Sequence, residues 1–338
     1  MRYSAQAESL CEVPAKRGLR SMYCKTASVS TPALRLLKAE FKNGIIAPRQ
    51  RSERNMAIDV PDIIEKLANF ITLTDIICLT GLMLLGSWLL RTSLGRRALA
   101  DSMPRRNNMP IYLPFIPLFI WFGAVAVTIS ITRNVVGDLV GWRSALLENS
   151  IMFVLAAVTV VVIVLLARTS FARGLKGFGL NARTILKDSI AAFVNLLSVW
   201  PLLLLMVLIT TFFGKLIWGH QYQIQQHEEL ELITTHPQLP LRIMIFIVAV
   251  LMAPVLEEMI FRGLFQTMIR SFLAKPWLSI LISSTIFATI HSQPAHWPVL
   301  FVLAICLGYA YEKSGSLLRP IFIHALFNAI AIIAVFYQ

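Results

Sequence analysis

Long apolar segments constrain this chain more than any other feature of its sequence. A helix needs about 20 mostly apolar residues to cross the hydrocarbon core of a bilayer. Eight segments come close to that length, at roughly residues 69–90, 111–131, 149–167, 190–213, 241–261, 276–293, 297–312 and 317–336. Because a backbone in lipid must satisfy its own hydrogen bonds, such segments fold as helices. The sequence therefore predicts an all-α polytopic membrane protein with about eight transmembrane helices.

The composition also indicates a membrane protein. Of the 338 residues, 57% are hydrophobic and only 14% are charged, whereas a soluble domain has about 25% charged residues. The net charge of +13 could suggest a nucleic-acid partner. However, residues 1–55 alone hold eleven Lys and Arg against four Glu, which accounts for +7. We therefore expect no nucleic acid as a partner, and we expect the basic loops to contact membrane lipids.

The distribution of Lys and Arg predicts the orientation of the helices, because cytoplasmic loops carry an excess of both. The loops after the first and third segments are strongly basic, which predicts that they are cytoplasmic. The loop after the second segment mixes acidic and basic residues, and the loop after the fourth, HQYQIQQHEELELITTH, contains three glutamates and no Lys or Arg, which predicts that both are external. Continued alternation then places both ends of the chain outside.

The basic segment 1–55 fits this orientation poorly and leaves two interpretations open. It lacks the apolar stretch of a signal peptide, so it is either a disordered or organelle-targeting extension or a non-native one. If it is a targeting segment, the protein lies in an organelle membrane. In the second case Met56 opens the functional protein, which then lies in a bacterial cell membrane. We favour the second interpretation, because it removes a segment of +7 from the external side.

Three short patterns place polar side chains inside the last apolar segments. They read EEMIFR (257–262), FATIH (287–291) and HALFN (324–328). An ionisable residue at bilayer depth costs about 2.5–3.5 kcal/mol, so these side chains need partners or a function. Together the three patterns predict a buried polar cavity in the C-terminal part of the chain.

The first pattern separates two glutamates by their position on the helix. Glu258 and Arg262 are four residues apart with the acid first, which favours an ion pair on one face. Glu257 points about 100° away around the helix and is free of Arg262. Burial disfavours the ionised form of a carboxylate that lacks a full counter-charge, and this is the tuning that a general base needs. Glu258 is thus predicted to support the structure, while Glu257 is available for chemistry.

Two histidines and an asparagine complete the predicted cluster and leave two mechanisms open. In the first, Glu257, His291 and His324 bind zinc with a free position for water. In the second, Glu257 and His291 activate water directly, while His324 and Asn328 donate hydrogen bonds to an oxyanion. On these boundaries His291 lies about 22 Å of helix from the cytoplasmic face and His324 about 11 Å. The cluster therefore forms only if tilt or different helix boundaries bring them together.

Taken in order, the three patterns resemble the EExxxR, FxxxH and HxxxN motifs of the CAAX protease and bacteriocin-processing (CPBP, or Abi) family of intramembrane proteases. The resemblance covers about residues 241–336, and all three motifs match. It implies an eight-span helical fold with a polar cavity open to membrane and water. By this resemblance, Glu257 is the base that activates water and His291 is its partner. His324 and Asn328 stabilise the oxyanion, and Glu258 with Arg262 forms a supporting pair. Members are usually described as metalloproteases, although a metal-independent account is also held, so zinc stays open as a cofactor.

The chain is therefore divided into a basic N-terminal extension (1–55), about four N-terminal transmembrane helices (56–240) and a CPBP-like catalytic transmembrane domain (241–336). The expected function is that of an intramembrane endopeptidase, which hydrolyses a peptide bond in a membrane-associated or lipidated, CAAX-like protein or peptide. The alternative is a non-enzymatic protein of the same family that gives bacteriocin immunity or serves as a membrane scaffold.

Overall fold

The structure, a computed structural model, describes residues 72–135, 141–225 and 228–335, so segment 1–55 and Met56 lie outside the described residues. Nine helices make up most of this part, which contains no strand. They are α1 (Leu73–Arg91), α2 (Phe115–Val135), α3 (Trp142–Ser170), α4 (Ile185–Trp218), α5 (Glu228–Thr235), α6 (Leu239–Leu273), α7 (Pro276–Thr289), α8 (Trp297–Ser314) and α9 (Leu318–Val335). Single helical turns occur at Leu175–Phe178, Ala182–Thr184 and Pro294–His296.

Seven helices in the described part of the chain are long and apolar enough to cross a membrane; they are α1, α2, α3, α4, α6, α8 and α9. The prediction of an all-helical polytopic membrane protein is thus confirmed. The sixth predicted segment is shorter than expected, since α7 has only 14 residues. It ends at Thr289, shortly before the polar stretch at 291–293 and Pro294. A 14-residue helix is about 21 Å long, so the expected number of eight full spans is approximate.

The outer surface of the helices is that of a protein in lipid. The 19-residue helix α1 buries a single residue, Gly81. Its large apolar side chains are exposed, for example Met83 at 73% and Leu90 at 84%. Exposed apolar area of this extent is unfavourable in water and favourable next to acyl chains. The protein is therefore an integral membrane protein.

The C-terminal helices form the packed centre of the described structure. Helix α7 packs along α8, and α4 contacts α1, α8 and α9. Helix α6 lies at the centre, because all eight residues of its segment Met259–Gln266 are buried. Close packing is possible there because residue 263 is glycine, and a Cβ at this position would collide with the Phe178 ring. The last four residues of the EEMIFR motif, Met259–Arg262, thus lie where water and lipid have least access.

Helix α6 departs from regular α-helical geometry on both sides of its glutamates. Ile247–Met252 and Met259–Gln266 are π-helical, and the α-helical turn Ala253–Glu258 lies between them. π-Helical insertions are rare and occur frequently at functional sites. Each insertion shifts the direction of the side chains that follow, so the orientation of Glu257 and Glu258 depends on both segments.

Buried ion pairs fix the ends of these helices against each other. Arg270 Nε lies 3.0 Å from Glu312 Oε1 and joins the end of α6 to α8. Arg319 Nη2 lies 3.0 Å from Asp188 Oδ1 and joins the start of α9 to α4. Removing one member of such a pair leaves an uncompensated buried charge. These contacts therefore set the relative positions of the helices that carry the three motifs.

Candidate active site

Glu258 is the centre of a fully buried polar cluster. Its Oε1 accepts a hydrogen bond from Arg262 Nη1 at 2.8 Å, which is the ion pair that the four-residue spacing predicts. The same oxygen lies 3.0 Å from His324 Nδ1. Since a carboxylate only accepts hydrogen bonds, we assign the proton of this contact to His324 Nδ1. Glu258 therefore holds both the guanidinium and the imidazole, which sequence spacing alone did not indicate.

Arg262 is held on three sides. Besides Glu258, its Nη2 donates to the carbonyl oxygen of Ala304 in α8 at 3.2 Å. Its guanidinium lies 4.4 Å from the centroid of the Phe287 ring. With only 1% of its side chain exposed, the charge is compensated by a carboxylate, a carbonyl and an aromatic face. The contacts of Arg262 thus indicate a structural role.

Glu257 has a different environment, although it is the next residue. Its side chain is 26% exposed, and its Oε2 is buried without a hydrogen-bond partner. That oxygen lies 3.9 Å from His324 Nε2. This distance is too long for a direct hydrogen bond, but one water molecule can lie about 2.8 Å from both atoms. A buried carboxylate oxygen without a partner is costly. Glu258 Oε2 and Arg262 Nε also lack a partner, but among these three atoms only Glu257 Oε2 belongs to a side chain that is partly exposed.

Asn328 contacts the backbone of α6. Its Nδ2 donates to the carbonyl oxygen of Ala249 at 2.8 Å. In this π-helical segment the N–H of Ala253 donates to Val248, five residues back. The next bond in that register would run from residue 254 to Ala249, but Pro254 has no N–H. The side chain of Asn328 therefore supplies the hydrogen-bond donor that is missing at Pro254. This proline lies three residues before Glu257.

His291 lies in the turn that follows α7. Its Nδ1 is 2.7 Å from the carbonyl oxygen of Phe287, so the ring donates there and Nε2 carries the lone pair. Its own carbonyl oxygen accepts a hydrogen bond from Trp297 Nε1 at 3.0 Å. Among the described residues, no hydrogen bond joins His291 to Glu257 or to His324. The structure thus fixes the ring of His291 but does not place it in direct contact with the other predicted site residues.

Phe287 connects the three motifs. The centroid of its ring lies 4.9 Å from that of His291 and 5.8 Å from that of His324, and Arg262 lies over its face. Both imidazoles therefore contact the same aromatic ring, although His291 follows the end of α7 and His324 lies within α9. We assigned no role to Phe287 from the sequence. The available signal was its position four residues before His291, which places both side chains on one helical face.

The three candidate zinc ligands do not form a metal centre. Over residues 72–135, 141–225 and 228–335, no group of three or more His, Cys, Asp or Glu side chains is arranged to hold a metal ion. The Nδ1 atoms of His291 and His324 are engaged by a carbonyl and a carboxylate, which leaves only their Nε2 atoms as possible metal donors. This donor set does not fit a resident zinc ion, so we derive the chemistry from the side chains of the protein itself.

The fold and the site define a class: a helical integral membrane protein with an acid and an imidazole facing one small gap among its helices. Comparison with known families is more specific. Residues 239–330 match the family model described as type II CAAX prenyl endopeptidase Rce1-like. This range contains all three motifs, so the resemblance to the CPBP family that the motifs indicated is confirmed for this segment. At the level of the family, this supports a membrane endopeptidase.

Two curated relatives are similar to parts of the chain. The UPF0177 protein YaiF of Lactococcus lactis is 29% identical over 143 residues, which cover 40% of this chain and 62% of that protein. An uncharacterized 24.3 kDa protein of Escherichia coli is 35% identical over 78 residues, which cover 22% of this chain and 36% of that protein. The chain thus spans less than two thirds of each relative. No solved structure matches it significantly.

Proposed function

We propose that this protein is an intramembrane endopeptidase that hydrolyses a peptide bond in a membrane-associated or lipidated, CAAX-like protein or peptide. One observation carries the proposal. Glu257 Oε2 is buried without a partner and faces His324 Nε2 at 3.9 Å, within the segment that matches the Rce1-like family. The gap between these two atoms is the place for the attacking water.

Both atoms that face the gap accept hydrogen bonds. Because the proton of the His324 contact with Glu258 lies on Nδ1, the neutral ring presents the lone pair of Nε2. A water molecule in the gap donates one hydrogen to Glu257 Oε2 and the other to His324 Nε2. Its own lone pairs then point away from both and toward a substrate carbonyl. Glu258 is a positioning residue in this arrangement, since it fixes the ring that orients the water.

The chemical step transfers one proton by way of Glu257. As the water oxygen bonds to the carbonyl carbon, its proton passes to Glu257 and the carbonyl oxygen becomes an oxyanion. The carbon–nitrogen bond then breaks, and Glu257 returns the proton to the leaving nitrogen. The products are a carboxyl group and an amine. One carboxylate thus serves as base and then as acid.

The oxyanion needs hydrogen-bond donors. Asn328 uses one N–H on the carbonyl of Ala249, and its second N–H remains available for this role. His324 serves as an oxyanion donor only with a proton on Nε2 as well as on Nδ1. For His291 we propose that its Nε2 contacts the substrate or a second water molecule, because Nδ1 is engaged.

We further propose a bacterial cell membrane as the location.

The test uses the full chain reconstituted in proteoliposomes with a panel of prenylated and unprenylated peptides. Mass spectrometry of new termini measures cleavage. The isosteric change Glu257→Gln should lower the rate by about 10²- to 10⁴-fold, the usual contribution of a general base. Glu231→Gln removes the same charge from an exposed position on α5 and is the matched control.

The two candidate functions give different results in this assay. An endopeptidase cleaves at least one peptide, and Glu257→Gln loses cleavage while the control keeps it. Cleavage by Glu257→Gln at the wild-type rate would refute the assigned base. Peptide binding without cleavage by the wild-type protein would instead support the non-enzymatic alternative, an immunity or scaffold protein.

A further inference from the structure

A large cavity lies apart from the candidate active site, between α1, α4 and α8. Its volume is about 710 Å³, within the range of about 300–1,000 Å³ that is typical of ligand pockets. None of the motif residues that form the candidate active site lines it. The proposed hydrolysis therefore leaves this cavity without a function.

The walls of the cavity are suited to a hydrocarbon chain. Eight of its nineteen lining residues are aliphatic, with Leu84, Leu85, Val199, Leu202, Val302 and Ile305 among them. An aromatic group closes one side. Trp88 Nε1 donates to the Tyr309 hydroxyl at 2.8 Å, and the ring of Trp277 stacks on Tyr309 at 5.9 Å. Trp and Tyr are enriched at the level of the lipid head groups, so this group marks the end of the cavity that lies near the interface.

The same end of the cavity is positively charged. Arg91 and Lys313 lie in the last turns of α1 and α8, and Arg97 follows in the next loop. All three line the cavity, and no Asp or Glu does. The neighbouring acid Glu312 is buried and already paired with Arg270. Within the described residues, these three cations have no carboxylate beside them at the entrance.

We propose that this cavity binds a glycerophospholipid with an anionic head group. One acyl chain lies between α1, α4 and α8, and the phosphate contacts Arg91, Arg97 and Lys313. A free phosphate ion would leave the apolar walls in contact with water, and a chain without an anionic head would leave three cations unpaired. The combination of an apolar chamber and a basic entrance matches an amphiphile with both parts.

The lipid would lie behind the helix that supports the active site. Cys306 of α8 lines the cavity, while the carbonyl of Ala304, two residues earlier, accepts the hydrogen bond from Arg262. Helix α8 thus separates the two sites. Lipid binding is independent of proteolysis and can be measured even if the proposed function fails.

The experiment is native mass spectrometry of the full chain, released from nanodiscs of phosphatidylglycerol and phosphatidylcholine in equal parts. The wild-type protein should retain one phosphatidylglycerol in preference to phosphatidylcholine. The triple variant R91Q/R97Q/K313Q should bind it roughly 100-fold more weakly, as expected when three basic contacts to an anionic head group are lost. Ser198→Trp, which places an indole in the cavity, should reduce retention of either lipid.

The control triple R168Q/R173Q/K176Q removes the same charge from exposed positions that do not line the cavity. It should retain phosphatidylglycerol as the wild type does. Equal retention of both lipids by the wild type, or equal loss in both triple variants, would overturn the proposal. So would competition by inorganic phosphate as effective as that by phosphatidylglycerol, because the acyl chain would then have no part in binding.

Discussion

The hydrogen bond from Asn328 to Ala249 offers a test of how α6 is held next to the proposed base. We expect Asn328→Ala to destabilise the protein by about 1–2 kcal/mol, since interhelical hydrogen bonds in membranes reach about 1.7 kcal/mol and an unsatisfied carbonyl adds its own cost. The bond exists because Pro254 cannot donate in the π-helical register. Restoring an N–H at residue 254 should therefore make the side chain of Asn328 less necessary.

A double-mutant cycle measures this dependence. The variants are N328A, P254A and the combination, and thermal stability in detergent is followed by size-exclusion chromatography of the remaining folded protein. In the P254A background the N–H of residue 254 can donate to Ala249, so N328A should cost clearly less there than in the wild type. The difference between the two costs is the coupling energy of the contact.

The reasoning fails if N328A costs the same in both backgrounds, because the carbonyl of Ala249 would then not depend on Asn328 for a donor. A catalytic role for Asn328 makes a separate prediction. If the amide also contacts the oxyanion, P254A restores stability to N328A but does not restore kcat. Recovery of both would show that Asn328 acts only by positioning α6.

Three further outcomes follow from the described contacts. Glu258→Gln leaves the charge of Arg262 uncompensated and should destabilise the protein by about 3–5 kcal/mol; an unchanged midpoint of thermal unfolding would contradict the buried ion pair. Gly263→Ala forces a methyl group against the Phe178 ring and should cost about 1–3 kcal/mol, whereas Gly86→Ala meets nothing within 4 Å and should cost nothing in the same measurement. Treatment with a chelator should leave peptide cleavage unchanged, because the histidine and carboxylate donors do not form a metal centre; loss of cleavage that added zinc reverses would contradict this.

The sequence was sufficient for features that depend on local spacing or overall hydropathy. It predicted the helical membrane fold because lipid leaves few alternatives to helices. It also predicted the Glu258–Arg262 ion pair, because residues four apart on one helix must lie on one face. Both predictions are confirmed. Neither needed knowledge of which helices are neighbours.

Features that depend on helix packing could not be predicted from the sequence. The bond between His324 and Glu258 joins residues 66 positions apart, and that between Asn328 and Ala249 joins residues 79 positions apart. The π-helical segments of α6 were missed because the hydropathy of a segment does not distinguish a regular α-helix from a helix with a π-helical turn, which contains one extra residue. The roles of Glu257, His291, His324 and Asn328 in catalysis stay predictions.

The short helix α7 has a consequence for the bilayer around the protein. Hydrocarbon about 30 Å thick cannot be matched by a helix about 21 Å long without local thinning of the bilayer or entry of water above the helix end. His291 lies in the turn at that end, and Leu278 and Leu281 on α7 remain exposed to lipid. The hydrophobic mismatch is therefore concentrated on the side of the protein where His291 stands. For the proposed endopeptidase, a peptide bond held at the membrane surface on this side would need to descend only a short way to reach His291.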